Sequence, residues 1–294
     1  MLRERNIRLQ KRLGQNFLID RNTRDRIARA AKMEIDLPVL EIGTGLGALT
    51  SALSHQAPKV TTIEVDTRLI EPLQETLAPY KNVTLISADF MHIDIPKLLD
   101  DAFGAEKGIV AANIPYYITT PILEKLLAHR SRIARIVLLV QQEVARRVVA
   151  AAGSDDYGSL SLFVQFQADS VIVGDVPPTV FMPQPEVKSS ILVLTPSERG
   201  TVPVRNEDRL FHIVRAAFGQ RRKTVLNALM RAPASFGLCL GMEDRQELED
   251  LLRRCGIKPD RRGETITLQE YATLADAWPE APPAANTSNA NAAP

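Results

Sequence analysis

Two short stretches of this 294-residue chain combine residue types that can do chemistry. Ala111-Ala112-Asn113-Ile114-Pro115-Tyr116-Tyr117 reads as an apolar strand ending in an amide, a rigid turn and an aromatic ring. An amide oxygen accepts hydrogen bonds from a planar NH2 group, while a ring stacks on the base that carries it. Glu41-Ile42-Gly43-Thr44-Gly45-Leu46-Gly47 is a glycine turn after a strand, which brings backbone close to a nucleotide-like cofactor. Together they point to methyl transfer onto the exocyclic amine of a base.

The glycine turn alone is weak, because such turns also serve dinucleotide enzymes or plain chain reversal. Glu64 ends the next strand, where a carboxylate at a pocket edge accepts both hydroxyls of a ribose. A substitution there is expected to leave the fold intact. Asp89 follows the third strand and is positioned either to accept from an adenine amine or to cap a turn. Asn113 tips the balance, since a dehydrogenase has no use for Asn-Ile-Pro-Tyr at the end of its fourth strand. An adenine amine is a poor nucleophile because its lone pair is delocalised into the ring. Hydrogen bonds from its N–H groups to the Asn113 oxygen and to a nearby backbone carbonyl favour a pyramidal nitrogen aligned for attack. Pro115 fixes the turn and has no N–H of its own. The structural alternative for Asn113 is a turn cap above core aromatics.

These residues need strands that end together. Strand patterns fall at Val39–Ile42, Val60–Val65, Val83–Ser87, Gly108–Ala112 and Ile133–Val140, short and continuously apolar as in a parallel sheet covered on both faces. Helical patterns alternate with them, the first capped by Asp20 and running to about Lys32. Val171–Val173 and Val187–Leu194 add two strands in an antiparallel edge hairpin. The result is an α/β domain with a seven-stranded, mostly parallel sheet over residues 13–196. Residues 197–204 read as a linker and 205–278 as a small all-helical domain, with Leu210, Phe211, Val214 and Phe218 at helical spacing. Residues 1–12 read as a flexible basic arm and 279–294 as a disordered tail.

Composition is ordinary for a globular protein, with 45% apolar and 24% charged residues. No apolar run is long enough to span a membrane, and the basic start lacks the apolar stretch of a signal peptide. Cys239 and Cys255 are read as reduced thiols in a cytoplasmic protein, and the four histidines show no metal-ligand spacing, so no metal is expected. The net charge of +1 hides a partition: residues 1–32 carry +7, and 124–147, 205–223 and 253–262 carry +4 each. Such clusters on an acidic body suggest a polyanion-facing surface; the alternative is local pairing on solvated helices.

Lys11-Arg12-Leu13-Gly14-Gln15-Asn16-Phe17-Leu18, the glycine turn, Asn113-Ile114-Pro115-Tyr116 and Phe181-Met182-Pro183-Gln184-Pro185-Glu186-Val187 resemble the ribosomal RNA adenine N6-dimethyltransferases, class I (Rossmann-like) enzymes. Ala217-Phe218-Gly219-Gln220-Arg221-Arg222-Lys223-Thr224 and Arg262-Gly263-Glu264 are similar to the bacterial small-subunit (16S) branch rather than the macrolide-resistance branch. Thr44 departs from the family, which often has proline there, and is expected to alter loop stiffness more than chemistry.

The resemblance implies S-adenosylmethionine as methyl donor, with Asn16 and Leu18 closing over it. Gly43 would line its methionine end, Glu64 would take its ribose and Asp89 its adenine. It implies that Asn113 lies between donor and base, that Tyr116 and Phe181 sandwich a flipped adenine, and that the substrate is two adjacent adenosines near the 3′ end of small-subunit rRNA. Arg221, Arg222 and Lys223 are expected on RNA phosphates, in a monomer that engages the small ribosomal subunit and no membrane. Two alternatives stay open: a macrolide-resistance methyltransferase acting on large-subunit RNA, and a non-catalytic RNA-binding assembly factor.

Overall fold

A computed structural model describes residues 14–32, 36–220, 222–232 and 245–279. The basic arm 1–12, Arg221, Cys239 and the tail beyond Pro279 lie outside the described residues. The chain divides into two compact units, one of residues 1–150 and 156–201 and one of residues 151–155 and 202–294.

The first unit is built on a seven-stranded sheet. Its strands are β2 (Val39–Ile42), β3 (Val60–Glu64), β4 (Val83–Ser87), β5 (Gly108–Asn113), β6 (Ile133–Gln141), β7 (Ala168–Val176) and β9 (Ser189–Pro196), in the order β4-β3-β2-β5-β6-β9-β7. The first five are parallel, and β9 pairs antiparallel with both β6 and β7. A separate pair, β1 (Phe17–Leu18) with β8 (Phe181–Met182), is antiparallel and two residues long. The continuous apolar runs are explained by burial on both faces. One layer packs Leu98, Leu99, Ile122, Leu126 and Val164 against the sheet, and the other packs Ile27, Ala28, Leu49 and Leu53. Strand β7, at the sheet edge, instead alternates partly buried and exposed residues between buried ends.

This strand order creates the site. From β2 the chain builds outward through β3 and β4, then returns to place β5 on the other side of β2. The connections diverge at the carboxyl ends of β2 and β5, leaving a crevice there. Gly43 and Asn113 stand at those two strand ends.

The expected strands recur with shifts of a few residues at their ends, and the first helix, α1, spans Arg21–Ala31 with Asp20 as its cap. The expected linker starts too early. Ser197 N–H donates to the Gln167 carbonyl and Thr201 N–H to the Phe166 carbonyl, so the chain stays on the first unit through residue 201. The second unit contains helices over Glu207–Phe218, Val225–Met230, Arg245–Arg254 and Leu268–Ala277. Tyr271, fully buried, donates its hydroxyl to the Gly263 carbonyl and fastens the last helix to the turn before it.

The α1 cap gives a test. Asp20 accepts from the Thr23 N–H at 2.6 Å and the Thr23 hydroxyl at 2.7 Å. Asp20→Ala leaves that N–H unsatisfied and is expected to cost about 1 kcal/mol. Thermal melts should register this as a fall of roughly 2–4 °C, and no shift would mean the helix does not depend on its cap.

Candidate active site

A cavity of about 320 Å³ occupies the crevice, walled by Gly43, Gly45, Glu64, Asp89, Asn113 and Tyr116 among others. Gly43, Gly45 and Gly47 have φ values of 82°, 59° and 78°, a region that favours glycine. Space is tight as well: a Cβ on Gly45 would lie 3.1 Å from the Phe17 ring. The loop therefore presents bare backbone to the cavity.

Asn113 is half-buried at the end of β5. Its Nδ2 donates to the Asn16 carbonyl at 3.0 Å, across 97 residues of sequence. With the nitrogen committed, Oδ1 is the atom left to accept a bond at the cavity. Beside it, the Tyr116 hydroxyl shares a 2.6 Å hydrogen bond with Ser189, a fully buried residue at the start of β9. Burial pushes the Tyr116 phenol above its ordinary range, with the Ser189 bond opposing that shift. Tyr116 thus remains a neutral ring held by its edge.

Glu64 is 4% exposed and accepts from the Gly45 N–H at 2.8 Å and the Asp66 N–H at 2.9 Å. Glu64, expected at the pocket edge as a ribose acceptor whose loss spares the fold, thus also supports backbone on both sides of it. Glu64 clamps the glycine loop to β3, and each of its oxygens retains acceptor capacity toward the cavity. Burial raises its carboxyl, partly offset by the two N–H donors. Asp89 has two places in the structure. It lines the cavity, and it also caps a single turn over Phe90–His92, accepting from the Met91 N–H at 2.8 Å and bonding the His92 ring at 2.9 Å. Although burial acts upward, the Met91 N–H, His92 and Lys125 hold the Asp89 carboxyl below the usual range.

Residues 6–253 match the profile of the ribosomal RNA adenine dimethylase family. The chain is 44% identical over 268 residues to ribosomal RNA small subunit methyltransferase A of Anoxybacillus flavithermus, covering 91% of this chain and 89% of that protein. It is 45% identical over 279 residues to the Moorella thermoacetica protein of the same name, covering 93% and 94%. Among solved structures, a dimethyladenosine transferase from Plasmodium falciparum superposes with a TM-score of 0.73 at 27% identity, covering 88% of this chain and 95% of that one. The 23S rRNA methyltransferase ErmE gives 0.68 at 27% identity, covering 90% and 99%. The chain belongs to the ribosomal RNA adenine dimethylase family.

The family's methyltransferase fold is present, but two residues expected at the site are not in the cavity wall. Leu18 and Phe181 face each other across the two-residue β1–β8 ladder and are 6% and 2% exposed, inside the core. Side chains alternate along a strand, so burying this pair turns Phe17 and Met182 the other way. Phe17 lines the cavity and Met182 is 51% exposed. Both side chains are therefore core here, and Leu18 also borders a smaller cavity behind the glycine loop with Gly43, Gly45 and Asn113. Gln15, Phe17, Met91 and Tyr117 line the cavity although sequence reasoning passed over them. Strand alternation around Leu18 is the signal that would have found Phe17.

The basic clusters divide between locally paired and exposed cations. Within 124–147, Lys125, Arg130 and Arg135 donate to backbone carbonyls and Arg132 pairs with Asp100 at 2.6 Å. Within 253–262, Arg253 pairs with Glu249 at 2.7 Å and Arg261 with Glu270. In these two segments local pairing, the alternative reading, accounts for much of the positive charge. Arg222 and Lys223 are exposed, as are Arg146 and Arg147. Among the described residues, no cluster of three metal-ligating side chains and no helix long and apolar enough to cross a membrane occurs.

Beneath the glycine loop lies a buried carboxyl. Glu41, fully buried, accepts from the hydroxyls of Thr50 at 2.5 Å and Thr62 at 2.7 Å, while its Oε1 has no partner. Thr44, the departure from the family pattern, shares a 2.7 Å bond with Thr62 and so ties the loop into this network. Burial, opposed by the two threonines and reinforced by the nearby Glu64 charge, pushes Glu41 from 4.5 up to about 7. The folded protein thus retains a proton that the unfolded chain loses near 4.5. Stability from this group is complete below 4.5 and lost as pH rises through 7. Glu41→Gln cannot ionise, so its stability relative to wild type should improve by up to about 3 kcal/mol between pH 4.5 and 8. Denaturant melts at the two pH values check this; a constant difference would mean Glu41 is not buried as a proton holder.

Proposed function

We propose that this chain transfers methyl groups from S-adenosylmethionine to N6 of two adjacent adenosines near the 3′ end of small-subunit (16S) rRNA during ribosome assembly. The observation that carries the reading is the Asn113 amide, oriented by the Asn16 carbonyl so that Oδ1 is left for an amine. The cavity fits the cofactor chemically. Bare backbone at Gly43 and Gly45 suits a close-packed zwitterion, Glu64 has acceptor capacity for ribose hydroxyls, and Asp89 is an acceptor for an adenine amine. When bound, S-adenosylmethionine supplies an electrophilic methyl group.

The chain's own residues do the rest. Asn113 Oδ1 and the carbonyl of Ile114 accept the two N–H groups of the target amine, drawing its lone pair out of conjugation with the ring. Tyr116, held by Ser189, offers a ring face to the flipped adenine, a contact worth roughly 1–3 kcal/mol per stacked base. Tyr117, 63% exposed, stands at the rim where the base enters. The amine becomes more acidic once alkylated and gives its proton to solvent, so no strong general base is needed. The helical unit is assigned to RNA, with Arg221, Arg222 and Lys223 on phosphates, and the protein acts as a cytoplasmic monomer.

Similarity to ErmE leaves large-subunit RNA as a second reading, but at 27% identity it is outweighed by small-subunit relatives at 44–45%. An intact Asn16, Glu64, Asp89 and Asn113 set argues against a non-catalytic assembly factor. The test incubates the protein with labelled S-adenosylmethionine and undermethylated small subunits, large subunits or free RNA, then maps the modified bases. Label is expected on two adjacent small-subunit adenosines as dimethyladenosine. Label in large-subunit RNA supports the second reading, and no label on any substrate overturns both.

A further inference from the structure

Lys125 lies on the helix Thr119–Leu127, which follows directly from the Asn113–Tyr116 segment. Its stem is half-buried and its ammonium reaches a different part of the site. Nζ donates to the carbonyls of Phe90 at 3.1 Å, Met91 at 2.7 Å and Ile93 at 3.1 Å, and lies 5.7 Å from the centre of the Phe90 ring. An ammonium has three donors and no acceptor, so this tripod is full.

The three carbonyls close the turn that begins with Asp89. A single helical turn leaves its last carbonyls without partners inside the turn, and here one cation satisfies them. At the other end, the Asp89 carboxylate accepts from Met91 N–H and the His92 ring. The turn is thus held from outside by Lys125 and from inside by Asp89, and Asp89, Met91 and His92 all line the cavity. Phe90 anchors it from below, 5% exposed in the core.

We propose that Lys125 is a positioning residue for cofactor binding, holding the Asp89–Ile93 turn in the shape that lets Asp89 and the Met91 and His92 walls receive the cofactor's base. This rests on the reading that S-adenosylmethionine occupies the cavity with its adenine at Asp89. Lys125 touches neither cofactor nor substrate in that reading; it acts through the turn. Its placement also joins the two halves of the site, because the helix that carries it grows from the Asn113–Tyr116 segment. A surface ion pair would not be built this way, since its acceptors are neutral carbonyls converging on one point. Arginine, a planar fork, cannot donate to three converging carbonyls at once.

Calorimetry with S-adenosylhomocysteine and steady-state kinetics on undermethylated small subunits separate positioning from simple stabilisation. Lys125→Met retains the aliphatic stem but donates nothing. It is expected to weaken S-adenosylhomocysteine binding about tenfold and raise KM for S-adenosylmethionine to match, with kcat at saturation within about twofold of wild type. Lys125→Arg should lie between the two in affinity. Asp89→Asn combined with Lys125→Met should lose less affinity than the two single losses multiplied, because both act on one turn. Wild-type affinity in folded Lys125→Met overturns the proposal, as does a fall in kcat with affinity intact. If Lys125→Met does not fold, wild-type affinity in Lys125→Arg overturns it instead. Failure of the wild-type protein to bind S-adenosylhomocysteine would sink the cofactor reading itself, a result distinct from any of these.

Discussion

A hydrogen bond from Asn113 Nδ2 to the Asn16 carbonyl joins the strand-end amide to the segment that crosses the crevice. It fixes which end of a symmetric-looking amide faces the crevice. It also draws the segment 14–18 over the ends of β2 and β5, where Phe17 covers Gly45 and Gln15 reaches Asp66 at 2.9 Å. The bond is available only because the strand order leaves β2 and β5 adjacent with their connections diverging, so Asn113 ends its strand beside the glycine loop rather than beneath a helix. Sheet topology, loop conformation and amide orientation are therefore one linked constraint.

Around that constraint, polar groups are shared between support and chemistry. Glu64 clamps the glycine loop and retains acceptor capacity toward the cavity. Asp89 caps a turn and faces the same space. Glu41 sits beneath with three threonines, using hydroxyls instead of cations to satisfy a buried acid, which leaves one oxygen unpaired and the group readily protonated. Burial of such groups costs free energy that the surrounding apolar layers must offset. The gain is a cavity whose walls are held by hydrogen bonds within the chain, the kind of support that preorganised transition-state stabilisation requires.

The fold and the strand-end amide at the cavity were legible in the sequence because both depend on local signals. Apolar runs that are buried on both faces give a parallel sheet, and Asn-Ile-Pro-Tyr at a strand end has few other uses. What was not legible depended on which way a side chain turns in a contact between distant segments. Leu18 and Phe181 are core because β1 meets β8, a pairing of two residues across more than 160 that no periodicity announces. Glu64 looked peripheral because its N–H donors come from a loop nineteen residues earlier and from a turn just beyond it. The charge clusters misled for the same reason: Lys125 and Arg135 read as surface cations, and their carbonyl partners appear only in three dimensions.

The central claim is that Asn113 acts on the nitrogen being methylated. Single-turnover and steady-state kinetics of folded Asn113→Ala on undermethylated small subunits, with S-adenosylhomocysteine affinity measured alongside, test it most directly. The account requires turnover to fall by roughly 10²-fold or more while cofactor affinity changes little, as for other lost hydrogen bonds to a transition state. Near-normal turnover, or a loss confined to cofactor binding or to thermal stability, would contradict it and leave Asn113 as a turn residue.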